Sequence, residues 1–349
     1  MAYTTINKST DYFNTLLYTG DGSGTRNITG VGHNPDLVWI KDRGNSQNHS
    51  LTDAVRGGTK NIVSNLTNAE STSTNGCKAF VTDGFTIGSD NDVNGNSRNY
   101  VAWNWKANGQ GSANTDGSIN TTYTSVNTTA GFSISTYTGT GANATIGHGL
   151  GVAPKFTIIK RTSGAEEWSV QSSVIGLSNY LVLNSTNGSA GTSGALISAV
   201  SSTTLTVDSN SVVNGSGSAY VAYCFAEKTG YSKFGSYVGN GNADGAFVYT
   251  GFKPAWVMRK YATGGSASGE GWEMLDSARS PSNVADERLK ADSSGAESTG
   301  SNYYVDFLSN GFKCRTADNA TNNSGATYIY MAFAEAPLVG TNNVPCTAR

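Results

Sequence analysis

The sequence predicts an all-β fold of three tandem β-sandwich units with jelly-roll-like strand spacing. Three observations carry that prediction. One aromatic strand recurs as Tyr100-Val-Ala-Trp-Asn-Trp-Lys-Ala107, Tyr220-Val-Ala-Tyr-Cys-Phe-Ala-Glu227 and Tyr328-Ile-Tyr-Met-Ala-Phe-Ala-Glu335. Each recurrence is preceded by the same opening, at Leu17-Tyr-Thr-Gly-Asp-Gly22, Thr136-Tyr-Thr-Gly-Thr-Gly141 and Ser236-Tyr-Val-Gly-Asn-Gly241. Sustained 3.6-residue periodicity is absent apart from one turn around Ser282 to Lys290, so strands and not helices must build the cores.

In chain order, residues 1–11 form an N-terminal segment and 12–107 the first sandwich repeat. Residues 108–130, rich in Gly, Ser, Asn and Thr, are expected to be a flexible linker. The second repeat spans 131–227, the third 233–335, and 336–349 is a polar tail. Within each repeat a proline leads an apolar strand with a basic end: Pro35-Asp-Leu-Val-Trp-Ile-Lys41, Pro154-Lys-Phe-Thr-Ile-Ile-Lys160 and Pro254-Ala-Trp-Val-Met-Arg-Lys260. Proline suits a strand's first position, where its missing N–H breaks no ladder bond. Asn-rich turns at Asn94-Gly95, Asn214-Gly215 and Asn322-Asn323 precede the aromatic strands, and are expected to be tight hairpins using positive φ. With 349 residues in all, the length exceeds what one core usually organises, so each repeat is expected to bury its own.

Charged residues make up 14% of the chain and the formal charge is −2. No basic stripe exists to neutralise phosphates, which argues against nucleic acid as a partner. No stretch approaches the length of an apolar membrane span, and the first residues lack a signal-peptide layout, so synthesis in a cytoplasm without membrane insertion is expected. Cys77, Cys224, Cys314 and Cys346 show neither zinc spacing nor a disulfide framework, and Cys224 is expected in a core.

Candidate chemistry is sparse. The glycines of 20–24, 139–141 and 239–245 resemble a phosphate loop only superficially, because they join strand to strand and open no helix. Asp90, Asp92 and Asn94 match half of a calcium loop, but Val101 stands where the closing acid belongs. His33, His49 and His148 lack convergent carboxylates, and Phe252 near the equivalent place in the third repeat favours packing. Asp53-Ala-Val-Arg56 and Asp276-Ser-Ala-Arg279 repeat where the second repeat has Ser172-Ser-Val-Ile175, an arrangement that ties down a turn. Glu166-Glu167 and Asp286-Glu287 are adjacent and point apart on a strand, unlike a glycosidase pair. Of the six tryptophans, Trp168 and Trp272 are expected to be the better exposed, and so the candidates for stacking on sugars; Trp39, Trp103, Trp105 and Trp256 belong to cores. The chain is therefore expected not to be an enzyme: no catalytic, cofactor-binding or metal-binding residue is assigned, no cofactor is expected, and the binding residues stay open.

At these motifs, and at Thr5-Ile-Asn-Lys-Ser-Thr-Asp-Tyr-Phe-Asn14, Ile146-Gly-His-Gly-Leu-Gly-Val-Ala-Pro-Lys155 and Phe234-Gly-Ser-Tyr237, the chain resembles virion surface proteins of tailed bacteriophages, marine and cyanobacterial phages especially, that are described as tail fibre proteins. The resemblance covers nearly the whole chain. It implies a structural component on the virion tail or capsid surface, assembled in the host cytoplasm. Its partners would be other virion proteins and a host surface glycan or receptor. Sheet edges without lysine protection add the expectation of a homo-oligomer, and the resemblance implies a trimer, since tail and capsid appendages of such virions commonly have threefold symmetry. A capsid decoration or tail connector protein and a polysaccharide depolymerase spike are the alternatives.

Overall fold

Strand Leu37–Asp42 is buried at all six positions, which a strand with one wet face would not be. In the computed structural model, which describes residues 3–191, 196–265 and 270–339, the reason is that both faces of its sheet are covered. Leu37 and Trp39 point into one hydrophobic cluster, Val38 and Ile40 into another. The terminal aromatic strand Asn99–Trp105 divides likewise: Val101, Trp103 and Trp105 face the first cluster, Tyr100 and Ala102 the second.

The first repeat is a sandwich of a larger and a smaller antiparallel sheet. The larger orders Phe13–Thr19, Asn99–Trp105, Leu37–Asp42 and Ser50–Asp53; the smaller orders Arg26–Thr29, Gly84–Ile87 and Cys77–Val81. The second and third repeats reproduce this order. Their terminal strands Ala219–Phe225 and Ala326–Pro337 lie between Phe132–Thr138 and Phe156–Arg161, and between Ser232–Val238 and Phe252–Gly264. The all-β class and its three sandwich-like units are thus present, each with its own core.

A fourth core was not anticipated. It is shared by all three repeats, since the outer faces of the three larger sheets meet there. Register makes Trp105, Phe225 and Phe333 equivalent, each opposite the residue two places after the leading proline (Leu37, Phe156, Trp256). Phe333 sits 5.8 Å from Trp105 and 6.1 Å from Phe225, so equivalent rings from all three repeats converge. A residual cavity of only about 10 Å³ among Trp39, Trp105, Tyr223, Phe225, Trp256 and Met331 shows how closely they pack.

Several expectations need correction. The stretch 108–130 is held in place and is not a flexible linker. Asp36 accepts hydrogen bonds from Ala107 N and Gly109 N, Ile119 bridges to Ile146, and strand Tyr123–Asn127 adds an edge to the second repeat's larger sheet. The Asn turns are not positive-φ hairpins: Asn94 and Asn214 end one-turn helices, Asn91–Asn94 and Ser211–Asn214, and Gly95 has φ −57°. Positive φ falls later, at Ser97, Gly217 and Gly325. The glycine openings carry the chain from larger to smaller sheet. A Cβ at Gly20, Gly139 or Gly239 would meet a backbone oxygen at 2.2–2.4 Å. The turn of helix near Ser282 to Lys290 is absent: Ala285 and Arg288 instead form bridges with Val305 and Ser298. Pro254 lies inside its strand, at a register shift that spares the ladder. Cys346 and the tail from residue 340 onward lie outside the described residues.

Candidate functional site at the seams and outer faces

Polar side chains on apolar strands need partners, and in this molecule they find them across the seams between repeats. Counting back four residues from Asp53, Ser172 and Asp276, which register equates, gives His49, Trp168 and Trp272. Each ring nitrogen meets a backbone carbonyl of the neighbouring repeat: His49 Nε2 to Lys290 O at 2.9 Å, Trp168 Nε1 to Val63 O at 3.0 Å, Trp272 Nε1 to Val182 O at 2.9 Å. First binds third, second binds first and third binds second, so the three repeats close into a pseudo-threefold ring. Backbone bonds from Glu70 N to Thr162 O, Ser189 N to Ala262 O and Glu297 N to Arg43 O repeat around it.

Trp168 and Trp272 are therefore fully buried, contrary to their expected exposure, and all six tryptophans are core or seam residues. A buried indole N–H favours a site with an acceptor, and for Trp168 and Trp272 a carbonyl of the neighbouring repeat supplies it.

The basic residues ending the Pro-led strands, Lys41, Lys160 and Lys260, are buried as well. Lys160 Nζ donates to Thr67 O of the first repeat at 3.0 Å, and Lys260 Nζ to Thr186 O of the second at 2.8 Å. Lys41 Nζ instead donates to Asp42 O and Asn45 O within its own repeat. Burial pulls all three down to about 8, partly offset by nearby carboxylates.

The paired Asp and Arg are structural and also span seams. Asp53 accepts from Arg56 Nε at 2.6 Å and from Tyr223 Oη of the second repeat at 2.7 Å. Asp276 accepts from Arg279 Nε at 2.6 Å and from Trp103 Nε1 of the first repeat at 3.0 Å. Arg279 lies over the Trp103 ring, 5.5 Å from its centroid, and bonds Glu297, which pairs with Arg43 across the same seam.

Three equivalent asparagines replace the imagined calcium ligand. Asn94, Asn214 and Asn322 accept from Asp21 N, Thr140 N and Asn240 N, while their amides donate to Ser23 O, Ala142 O and Asn242 O. Each thus locks the opening loop to the loop before the terminal strand. Stacked pairs Tyr18–Tyr100, Tyr137–Tyr220 and Tyr237–Tyr328 pin the same corner, with centroids 5.0–5.2 Å apart. Asp90 caps its helix, and Asp92 accepts from Asn48 N and is raised to about 6 by burial and by Asp90. Among the described residues no His, Cys, Asp and Glu cluster is arranged to hold a metal ion.

Histidines His33 and His148 are buried on backbone partners, Thr10 O and Ser201 O, and burial lowers both. His49 is lowered to about 3, mainly by burial and then by Lys41. Its Nδ1 accepts from Trp39 Nε1 at 2.8 Å, so Nε2 carries the proton given to Lys290 O. Glu166 accepts from Ser211 Oγ, while Glu287 and Glu297 flank Arg43 at 3.4 and 2.7 Å, so the guanidinium lies between the two acids and ties them into the seam. Cys77, Cys224 and Cys314 are buried free thiols.

The outer faces are mostly hydroxyl and amide. Aliphatic side chains such as Val152, Val174 and Val238 are exposed singly, and in the third repeat two aromatic rings, Phe247 and Tyr249 on strand Phe247–Tyr249, are about half exposed side by side on one face. The sequence reading passed over them because it ranked tryptophans alone. The signal was alternation: Phe and Tyr flank the inward Val248.

A family model described as a domain of unknown function, DUF7483, matches residues 8–337. The chain belongs to the DUF7483 family. The matched span takes in all three repeats and the seams between them, so the DUF7483 unit is the whole ring and not one sandwich. No curated protein matches the chain.

Proposed function

We propose that this protein is a non-enzymatic structural component of a bacteriophage virion, a tail fibre or surface appendage that contributes to host attachment. The observation that carries the reading is where its reactive side chains go. His49, Lys160, Lys260, Asp53 and Asp276 are spent on seam bonds, and His33, His148 and Lys41 on other backbone carbonyls, leaving a three-sandwich body whose loops and outer faces are free for contact. Other virion proteins would be its neighbours on the tail or capsid surface, and a host surface glycan or receptor its ligand. Copies of the chain would associate through the strands Phe13–Thr19 and Ser232–Val238, which end their sheets.

A second reading, a capsid decoration or tail connector, is favoured by the pseudo-threefold body, whose shape suits a threefold position on a virion. Immobilised host envelopes and purified capsids and tails separate the two. Retention of the chain on envelopes supports attachment; retention on capsids or tails alone supports the connector; release of reducing sugar ends from host polysaccharide would revive the depolymerase and overturn both.

A further inference from the structure

The three repeats serve as controls for one another, and one surface departs from the pattern. In the smaller sheets, register equates Val248 with Ile28 and Ile146, all turned inward. The outward neighbours are Asn27 and Thr29 in the first repeat and Thr145 and Gly147 in the second. The third has Phe247 and Tyr249, 48% and 53% exposed. Aromatic rings add nothing to a sandwich from its wet face, so solubility and stability do not account for the change.

Their surroundings are polar. Phe247 stands opposite Lys313, which stands opposite Asp306, making one row across three strands. Lys313 pairs with Asp244 at 2.5 Å, and Arg315 lies 3.5 Å from Asp306. Tyr249 stands opposite Gly311, so no cross-strand side chain covers its ring. Beyond Tyr249 the face turns into a cleft of about 360 Å³, lined by Tyr3, Glu227, Thr229, Lys233 and Thr250 among others. Glu227 and Lys233 form an ion pair at its wall.

We propose that this face of the third repeat is a saccharide-binding site, with Phe247 and Tyr249 as the stacking platform and the cleft beside Tyr249 holding one sugar unit. The proposal rests on the attachment reading and names its ligand class and place. A saccharide offers apolar C–H faces to rings and hydroxyls to charged groups, which is the mixture present. Nucleic acid would also stack, but Lys313, Arg315 and Lys233 are already paired with Asp244, Asp306 and Glu227, so the face has no surplus positive charge to draw phosphates. A protein partner would favour a broader apolar area than two rings amid ion pairs.

The test uses the full chain on a printed array of bacterial surface polysaccharides. The comparison variant is Phe247→Asn with Tyr249→Thr, the residues of the first repeat, and Val152→Thr, an exposed position on a loop of the second repeat, is the control. Wild type and control should bind at least one polysaccharide, and the double variant should bind it about tenfold more weakly or worse at unchanged Tm. Absence of binding by wild type, or full binding by the double variant, overturns the site. So does a double variant that loses only a protease-sensitive envelope component, which would indicate protein docking, or one that only abolishes self-association. If both forms are retained equally on host envelopes, attachment stands and this site falls; if wild type ignores envelopes and binds capsids, the attachment reading itself falls.

Discussion

The seam joining the first and second repeats and the seam joining the second and third use matching positions with opposite chemistry. At the former, Asp53 is held by Arg56 and receives Tyr223 Oη; the seam between third and first is built the same way from Asp276, Arg279 and Trp103. At the remaining seam the acid's position is Ser172, the arginine's is Ile175, and the ring donor's is Met331. Ile175 and Met331 both pack on the shared core. All three changes go together: without a ring donor there is no use for a buried acid, and without the acid a buried guanidinium would stand unpaired. An ion pair is thus not required to join two repeats, but once present every member depends on the others.

The largest effect should come from removing the seams altogether. A fragment of residues 108–227, which keeps the edge strand Tyr123–Asn127, would expose the face that carries Phe132, Phe156, Trp168 and Phe225. It should aggregate or fail to unfold cooperatively, whereas the full chain should melt in one transition by calorimetry. Next, Asp276→Ala leaves Arg279, wholly buried, without its closest partner, and should cost about 3–5 kcal/mol in urea unfolding. Converting the first seam to the chemistry of the apolar one, with Asp53→Ser, Arg56→Ile and Tyr223→Met together, should cost less than Asp53→Ala alone. A triple variant as damaged as the single one would show that the pair itself, and not its mutual dependence, joins the repeats.

His49 gives a smaller and pH-dependent contrast with its counterparts Trp168 and Trp272. Its folded pKa of about 3 lies below the ordinary value near 6.5, so in that interval the unfolded chain binds the extra proton and the folded one does not. Stability from this group is present above pH 6.5 and drains as pH falls toward 3, by about 3 kcal/mol at pH 4 relative to a His49→Gln variant. Parallel pH curves for the two proteins would contradict it. Smallest of all, Ser172→Ala at the apolar seam should change stability by less than about 1 kcal/mol, against the several expected for Asp276→Ala.

The repeats and their strands were legible because each motif does the same job three times. Tyr18, Tyr137 and Tyr237 stack on Tyr100, Tyr220 and Tyr328, and Asn94, Asn214 and Asn322 lock the same corner, so their spacing was kept. The shared core was also written in the chain, as apolar residues on both faces of Tyr100-Val-Ala-Trp-Asn-Trp105, but that pattern says only that something covers the second face. Which surface covers it is a matter of long-range geometry. The same holds for Trp168 and Trp272: a neighbouring glutamate and glycine suggested exposure, and carbonyls a hundred residues away in the chain removed it. The exposed Phe247 and Tyr249 could have been found by aligning the smaller-sheet strands of the three repeats and asking which outward position breaks the polar pattern.

Covalent continuity between the repeats has a consequence for dilution. A body of three separate chains meeting at such a centre would come apart at low concentration, but one polypeptide holds its neighbours at a high effective concentration however few copies are present. Because the three thirds are also free to differ, one of them can change an outer face, as the third does at Phe247 and Tyr249, while the other two keep theirs polar.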